Sequence, residues 1–178
     1  MNPTSYRPEL DLLRKQVADL THELAERDRA LHERTRHLQV AQALAHLGSW
    51  AWDFGSGAVL WSDELYRIFG YEPQSREVTF DTFVSAVLPD DHDQLLASID
   101  DALAGTAPHD LECRIVRPDG EIRTIHCCGE VVRDSDGRPL CMSGTALDVT
   151  DRKRTESALR QREAHFRALI KHSSDIIT

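Results

Sequence analysis

The 178-residue chain is 40% hydrophobic and 29% charged, and its 30 acidic against 21 basic residues leave a net charge of −9. That size allows one ordinary domain with extensions, and the acidic balance argues against non-specific binding to nucleic acid or to an anionic membrane, both of which need a basic surface. No segment approaches the roughly 18 apolar residues of a membrane span, and the opening MNPTSYRPELDLLRKQ lacks the apolar run of a secretory signal, so a cytoplasmic protein is expected.

Residues 7–45 read as one helix. Leu10, Val17, Leu24, Leu31 and Leu38 recur every seven positions, and Leu13, Leu20, Arg27, Arg34 and Ala41 follow three residues behind them. These are the a and d rows of a heptad repeat. Pro8 stands near the start, where proline is tolerated. So polar a helix needs a surface on which to bury its stripe: a partner helix, or its own domain. Arg27 and Arg34 weaken the seam, so an adjustable coiled coil is expected, with Leu10, Leu13, Val17, Leu20, Leu24, Leu31 and Leu38 as its apolar contacts.

The period changes over residues 46–150. GSWAWDF and GAVLW flank Gly55–Gly57 as a β-hairpin. SDELYRIFGYEP is a short helix with Ser62 or Asp63 as N-cap, ended by Gly70 and Pro73. TFDTFVSAVLPDDHDQLLASIDDALAG gives two helical pieces broken at Pro89, the second starting near Asp90 or Asp91 and stopping at Gly105. In DLECRIV the residues Leu111, Cys113 and Ile115 share one face of a strand. Pro118–Gly120 makes a turn, EIRTIHCCGEVVRD a long strand, Asp134–Gly137 a further turn, and PLCMSGTALDVT a last strand. Five strands beside a helical insert define an α+β domain on one antiparallel sheet. Residues 151–178 return to helix, capped by Thr150 or Asp151, with a sparse stripe of Leu159, Phe166, Leu169 and Ile170.

These stretches resemble the PAS family, and within it the bacterial subgroup with an SxWxWD opening. The resemblance lies in AHLGSWAWDFGSGAVLWSDELYRIFGYEP, VLPDDHDQL, RIVRPDGEIR and VVRDSDGRPLCMSGTALDVTDRKRTE, in that order across about residues 45–155. The last resembles the family's closing Asp-x-Thr motif at Asp148, Val149 and Thr150. REAHFRALIKHSSDIIT is similar to the start of a second PAS domain, which would make the chain a piece of a longer multidomain sensor. The resemblance implies sensing or relay upstream of a kinase, cyclase, phosphatase or transcription factor. It also implies that Asp148 and Thr150, with Asp151 beside them, tie the last strand to the exit helix.

Leu65, Ile68, Phe69, Phe83, Leu95, Leu96, Ile99, Leu111, Cys113, Ile115 and Leu147 are candidate lining for a cavity between sheet and helices; the same residues could simply fill a core. The flavin-binding, light-sensing members of the family would require an Asn-Cys-Arg-Phe-Leu-Gln run on the helical insert, and no cysteine occurs between Leu47 and Asp110. Haem would need an axial histidine, for which His92 and His126 are candidates. His92 with Asp90, Asp91 and Asp93 could ligate a metal, but carboxylates at a helix start are more often caps. No cofactor and no metal are therefore expected.

The four cysteines, Cys113, Cys127, Cys128 and Cys141, form no CxxC pair. Free thiols in a reducing cytosol are expected, with redox sensing by Cys127 or Cys128 as the alternative; as strand neighbours these two point to opposite faces. Trp50, Trp52 and Trp61 lie on or near the first hairpin, where a pair such as Trp52 and Trp61 could cover one face of the sheet. The resemblance implies an outer face that meets the flanking helix or a partner subunit, and ordinary packing within the domain is the alternative. No nucleophile–base pair or phosphate loop supports an enzyme. The expected function is a signal-relay and dimerisation module acting as a parallel homodimer on a downstream output domain. The alternative is a small-molecule or haem sensor domain of a histidine kinase or diguanylate cyclase.

Overall fold

A computed structural model describes the backbone of residues 7–174 and the side chains of residues 10–167. The chain divides into two units that meet between Ala41 and Gln42. Helix α1 (Arg7–Ala45) has the span its heptad pattern predicts. Its seam residues Leu10, Leu13, Val17, Leu20, Leu24, Leu31 and Leu38 are 52–65% exposed, so this chain alone leaves the stripe unburied. The helix ends at His46, which adopts the left-handed conformation (φ 51°).

The second unit carries a five-stranded antiparallel sheet in the order β2-β1-β5-β4-β3. Its strands are β1 (Leu47–Asp53), β2 (Val59–Trp61), β3 (His109–Val116), β4 (Ile122–Arg133) and β5 (Pro139–Asp148). Between β2 and β3 the chain forms α2 (Asp63–Ile68), α3 (Phe80–Ala86), a 3₁₀ turn (Pro89–Asp91) and α4 (His92–Ala104). Helix α5 (Thr150–Ser174) follows β5.

Local chemistry explains these boundaries. Ser62 caps α2 by accepting the Leu65 amide, and Thr79 forms a capping box with Thr82 at α3. Gly105 ends α4 at φ +75°, a conformation that costs glycine nothing, while Thr106 N–H donates back to the Asp101 carbonyl. The Arg133 guanidinium donates to the Leu103 carbonyl at 2.6 Å, placing a cation at the negative end of α4. The break between α3 and α4 falls earlier than Pro89. Val87 bridges Ile115 and the Leu88 amide donates to the Arg114 carbonyl, so edge pairing with β3 ends α3, and Pro89 opens the following turn.

One face of the sheet is covered by α2, α3 and α4. Leu65, Ile68, Phe69, Leu95, Ile99, Leu111, Cys113, Ile115 and Ile125 form the core there, each large aliphatic contributing about 1.5–3 kcal/mol by burial. Helix α2 lies so close to β1 that a Cβ on Gly48 would stand 2.6 Å from that of Leu65. The opposite face carries the exposed apolar residues Leu60, Val116, Ile122 and Val132.

Candidate functional site

The cavity between sheet and helices has a volume of about 50 Å³. Of the candidate lining residues, Leu65, Phe69, Phe83 and Ile99 border it. Ile68, Leu95, Leu111, Cys113 and Ile115 are buried core instead, and Leu96 is exposed. Leu147 is a correction. Met142 and Ala146 of β5 line the cavity, and strand alternation sends Leu147, one residue beyond Ala146, to the other face.

The three tryptophans define the wall on the β1–β2 side. Trp52 stacks on Phe80 with ring centroids 4.6 Å apart, and Trp61 packs on Phe69 at 4.4 Å. Trp50 has a further role, readable from the register. Trp61, Trp50, Gly144, Gly129 and His109 form one cross-strand row through all five strands. The two glycines leave a furrow, and the Trp50 indole lies along it. A Cβ on Gly129 would stand 2.6 Å from the indole edge. At the far end the indole meets His109 edge-on, at 6.0 Å.

Val59, Phe80, Cys127, Met142, Ala146 and His109 also line the cavity and were not expected there; His109 is the titratable imidazole among them. It is buried, and its Nδ1 lies 2.9 Å from the Ser98 hydroxyl of α4. Burial pushes its pKa down, so the ring is held neutral. The signal was present in the sequence: His109 precedes Leu111, Cys113 and Ile115 at the same two-residue period. Starting the strand at Asp110 hid it.

His92 and the acidic run around it have structural partners. The His92 ring donates from Nε2 to the Val87 carbonyl at 2.9 Å. Asp91 accepts from the Arg114 guanidinium at 2.6 Å and from its backbone amide at 2.7 Å, which lowers its carboxyl pKa. Asp91 thus anchors the helical insert to β3 rather than capping α4. Cys127 and Cys128 point to opposite faces, as alternation requires. A hydrogen bond with the Cys113 thiol, together with burial, pushes the Cys127 thiol up. Desolvation and the Asp110 carboxylate push Cys128 up. Both thiols are therefore held protonated, unlike the depressed-pKa thiols of redox sensors.

The exit from the sheet is a network of strong bonds centred on Asp148. Its Oδ1 accepts the Thr150 amide at 2.9 Å and the Thr150 hydroxyl, and its Oδ2 pairs with Arg123 of β4 at 2.9 Å. Asp148 therefore caps α5, a role the sequence reading gave to Thr150 or Asp151. Thr150 is buried and reaches across to β4, where its hydroxyl accepts the Thr124 amide at 2.9 Å. Asp151 is exposed and pairs within the helix with Arg154 at 3.6 Å.

Glu121 joins Arg123 at 2.8 Å, Arg117 at 3.0 Å and Arg154 of α5 at 3.3 Å; these cations, Arg123 first, hold its carboxyl down at about 2. Glu112 of β3 pairs with Lys153. The incoming chain meets the same point, because the Asp148 amide donates to the His46 carbonyl at 3.0 Å. The His46 ring in turn lies 3.4 Å from buried Glu64 of α2. One aspartate, at the end of the central strand β5, thus touches the residue that ends α1, the neighbouring strand β4 and the first turn of α5.

An antiparallel sheet with this strand order, a helical insert enclosing a small cavity and a tethered exit helix define a class of sensory α+β domains. A PAS fold family profile matches residues 58–146, and the chain belongs to the PAS family. The sensor protein FixL of Bradyrhizobium diazoefficiens is 28% identical over 137 residues, 77% of this chain and 27% of its own. The blue-light-activated histidine kinase of Brucella ovis is 33% identical over 126 residues, 70% of this chain and 25% of its own. The chain thus spans about a quarter of the length of these curated relatives. A sensory box histidine kinase/response regulator structure from Burkholderia thailandensis is 34% identical with a TM-score of 0.61, covering 74% of this chain and 98% of that one. No helix among the described residues is long and apolar enough to cross a membrane.

Proposed function

We propose that this chain is the sensory and relay module of a larger cytoplasmic signalling protein, acting as a parallel homodimer on an output domain beyond α5. The observation that carries this reading is the Asp148 junction. A change in the packing of the β4–β5 pair alters the acceptor that fixes the first turn of α5, and so biases the pitch or rotation of that helix. Such a bias works as a population shift, and needs a differential energy of a few kcal/mol between two states.

The exposed heptad stripe of α1, interrupted by Arg27 and Arg34, supports pairing through a coiled coil of modest strength. The relatives named as a sensor protein and as a blue-light-activated histidine kinase support a sensory role, and the second supports a kinase as the output.

A second reading, a sensor of a small ligand, is favoured by His109 and the three tryptophans around the cavity. Pockets for drug-sized ligands span about 300–1,000 Å³, so a cavity of about 50 Å³ suits water or a diatomic molecule rather than haem or flavin. The light-sensing reading also lacks its cysteine, since all four cysteines lie on β3, β4 and β5.

The test joins the chain through α5 to a histidine kinase catalytic core and measures autophosphorylation. Asp148→Ala is expected to change the rate at least about threefold while folding and dimerisation persist, a factor that corresponds to under 1 kcal/mol. Thr150→Ser, which keeps the hydroxyl, is expected to behave as wild type. An unchanged rate in Asp148→Ala would remove the relay role.

A further inference from the structure

We propose that Asp110, His126 and Cys128 form a binding site for a zinc-type divalent transition metal on the sheet face opposite the helices. The register brings the three together. Asp110 and Cys128 are direct cross-strand partners on β3 and β4, and His126 stands two residues before Cys128, so all three side chains leave the same face. His126 Nε2 lies 2.6 Å from Asp110 Oδ1 and 3.5 Å from Cys128 Sγ. All three donor atoms fall within 4.8 Å of one another, the one such group among the described residues.

The geometry suits a tetrahedral ion. Zinc–ligand lengths of about 2.3 Å to sulfur and about 2.0–2.2 Å to nitrogen and oxygen place tetrahedral donors about 3.6 Å apart for S–N and S–O, and about 3.4 Å apart for N–O. The observed S–N separation already matches. The N–O pair, now hydrogen-bonded, has to open by less than 1 Å. One oxygen, one nitrogen and one sulfur make a borderline-soft set, which favours Zn²⁺ over Mg²⁺ or Ca²⁺.

Asp110 is well exposed, and His126 and Cys128 partly so, which leaves a fourth position open to water. Binding breaks the Cys128 S–H bond, forms a sulfur–metal bond and releases the proton to solvent. The spacing of these residues fits no metal motif in the sequence, because the ligands are assembled across two strands.

The test uses the full chain, reduced and stripped with chelator, and Co²⁺ as the probe. One equivalent of Co²⁺ per chain is expected to give a thiolate-to-cobalt charge-transfer band that Zn²⁺ bleaches. Loss of a neighbour that merely orients a ligand costs metal sites 10–100-fold in affinity, so Cys128→Ser should abolish the band and weaken Co²⁺ binding by at least about 100-fold. His126→Gln and Asp110→Asn should weaken it by at least about tenfold, and Cys141→Ser should leave it unchanged. No band at one equivalent in the wild-type chain would overturn the site, and that arm does not depend on any variant folding. So would a band that survives Cys128→Ser or disappears in Cys141→Ser.

Discussion

Replacing Asp148 with alanine removes the acceptor for the Thr150 amide and hydroxyl, and also the partner of Arg123. Loss of a helix cap costs about 1 kcal/mol, and loss of a hydrogen bond to a charged group about 1.5–3 kcal/mol. The second figure is reduced because Glu121 still holds Arg123 at 2.8 Å. It is not erased by solvent, since the Asp148 side chain is only 10% exposed. The sum is about 2–3 kcal/mol, or about 10 °C in Tm for a domain of this size. Thermal denaturation measures the total, and amide hydrogen exchange locates it. Exchange is expected to accelerate in the first turn of α5 while the amides of β4 and β5 stay protected. Asp148→Asn, which keeps an acceptor oxygen but loses the charge, should lose about half as much. A Tm within 2 °C of wild type together with unchanged exchange in α5 would refute the role assigned to this junction.

Gly129→Ala places a methyl group against the Trp50 indole and should cost about 1–3 kcal/mol by overpacking; denaturant melts monitored by tryptophan fluorescence will show it, and an unaltered midpoint would count against the furrow. His109 has a folded pKa below its ordinary value of 6.5. The unfolded chain therefore binds that proton more readily, and the stability contributed by the neutral ring is complete above about pH 6.5 and is lost as pH falls towards the folded pKa. Melts of wild type and His109→Gln across pH 5–7 should differ in slope, with the variant flatter; equal slopes would remove the assignment. Leu24→Lys with Leu31→Lys should yield folded monomers in sedimentation velocity, whereas a persistent dimer would place the contact on the exposed sheet face around Leu60 and Val132.

Much of the fold was legible because local chemistry and the global pattern agree. The heptad period gave α1, and Ser62, Gly70 and Gly105 marked the ends of α2 and α4. Strand alternation gave the inward set Leu111, Cys113 and Ile115, and placed Cys127 and Cys128 on opposite faces. What escaped was set by pairing between strands. The Trp50 furrow depends on Gly129 and Gly144 lying side by side, and the Asp110, His126 and Cys128 group on the β3–β4 register. Linear spacing reports neither. The local sequence offers Thr150 or Asp151 as the cap of α5, yet the Thr150 hydroxyl is engaged by Thr124 of β4, Asp151 pairs with Arg154, and the capping oxygen comes from Asp148. The resemblance of residues 162–178 to a second domain extends to Asp175–Thr178, outside the described residues.

Native mass spectrometry of the purified, chelator-treated chain, beside the same sample denatured, addresses the central claim most directly. A relay module is expected as a dimer at twice the 20.1 kDa chain mass with nothing further bound to either protomer. A monomer, or a dimer carrying an organic mass on each protomer that is released on denaturation, would contradict it.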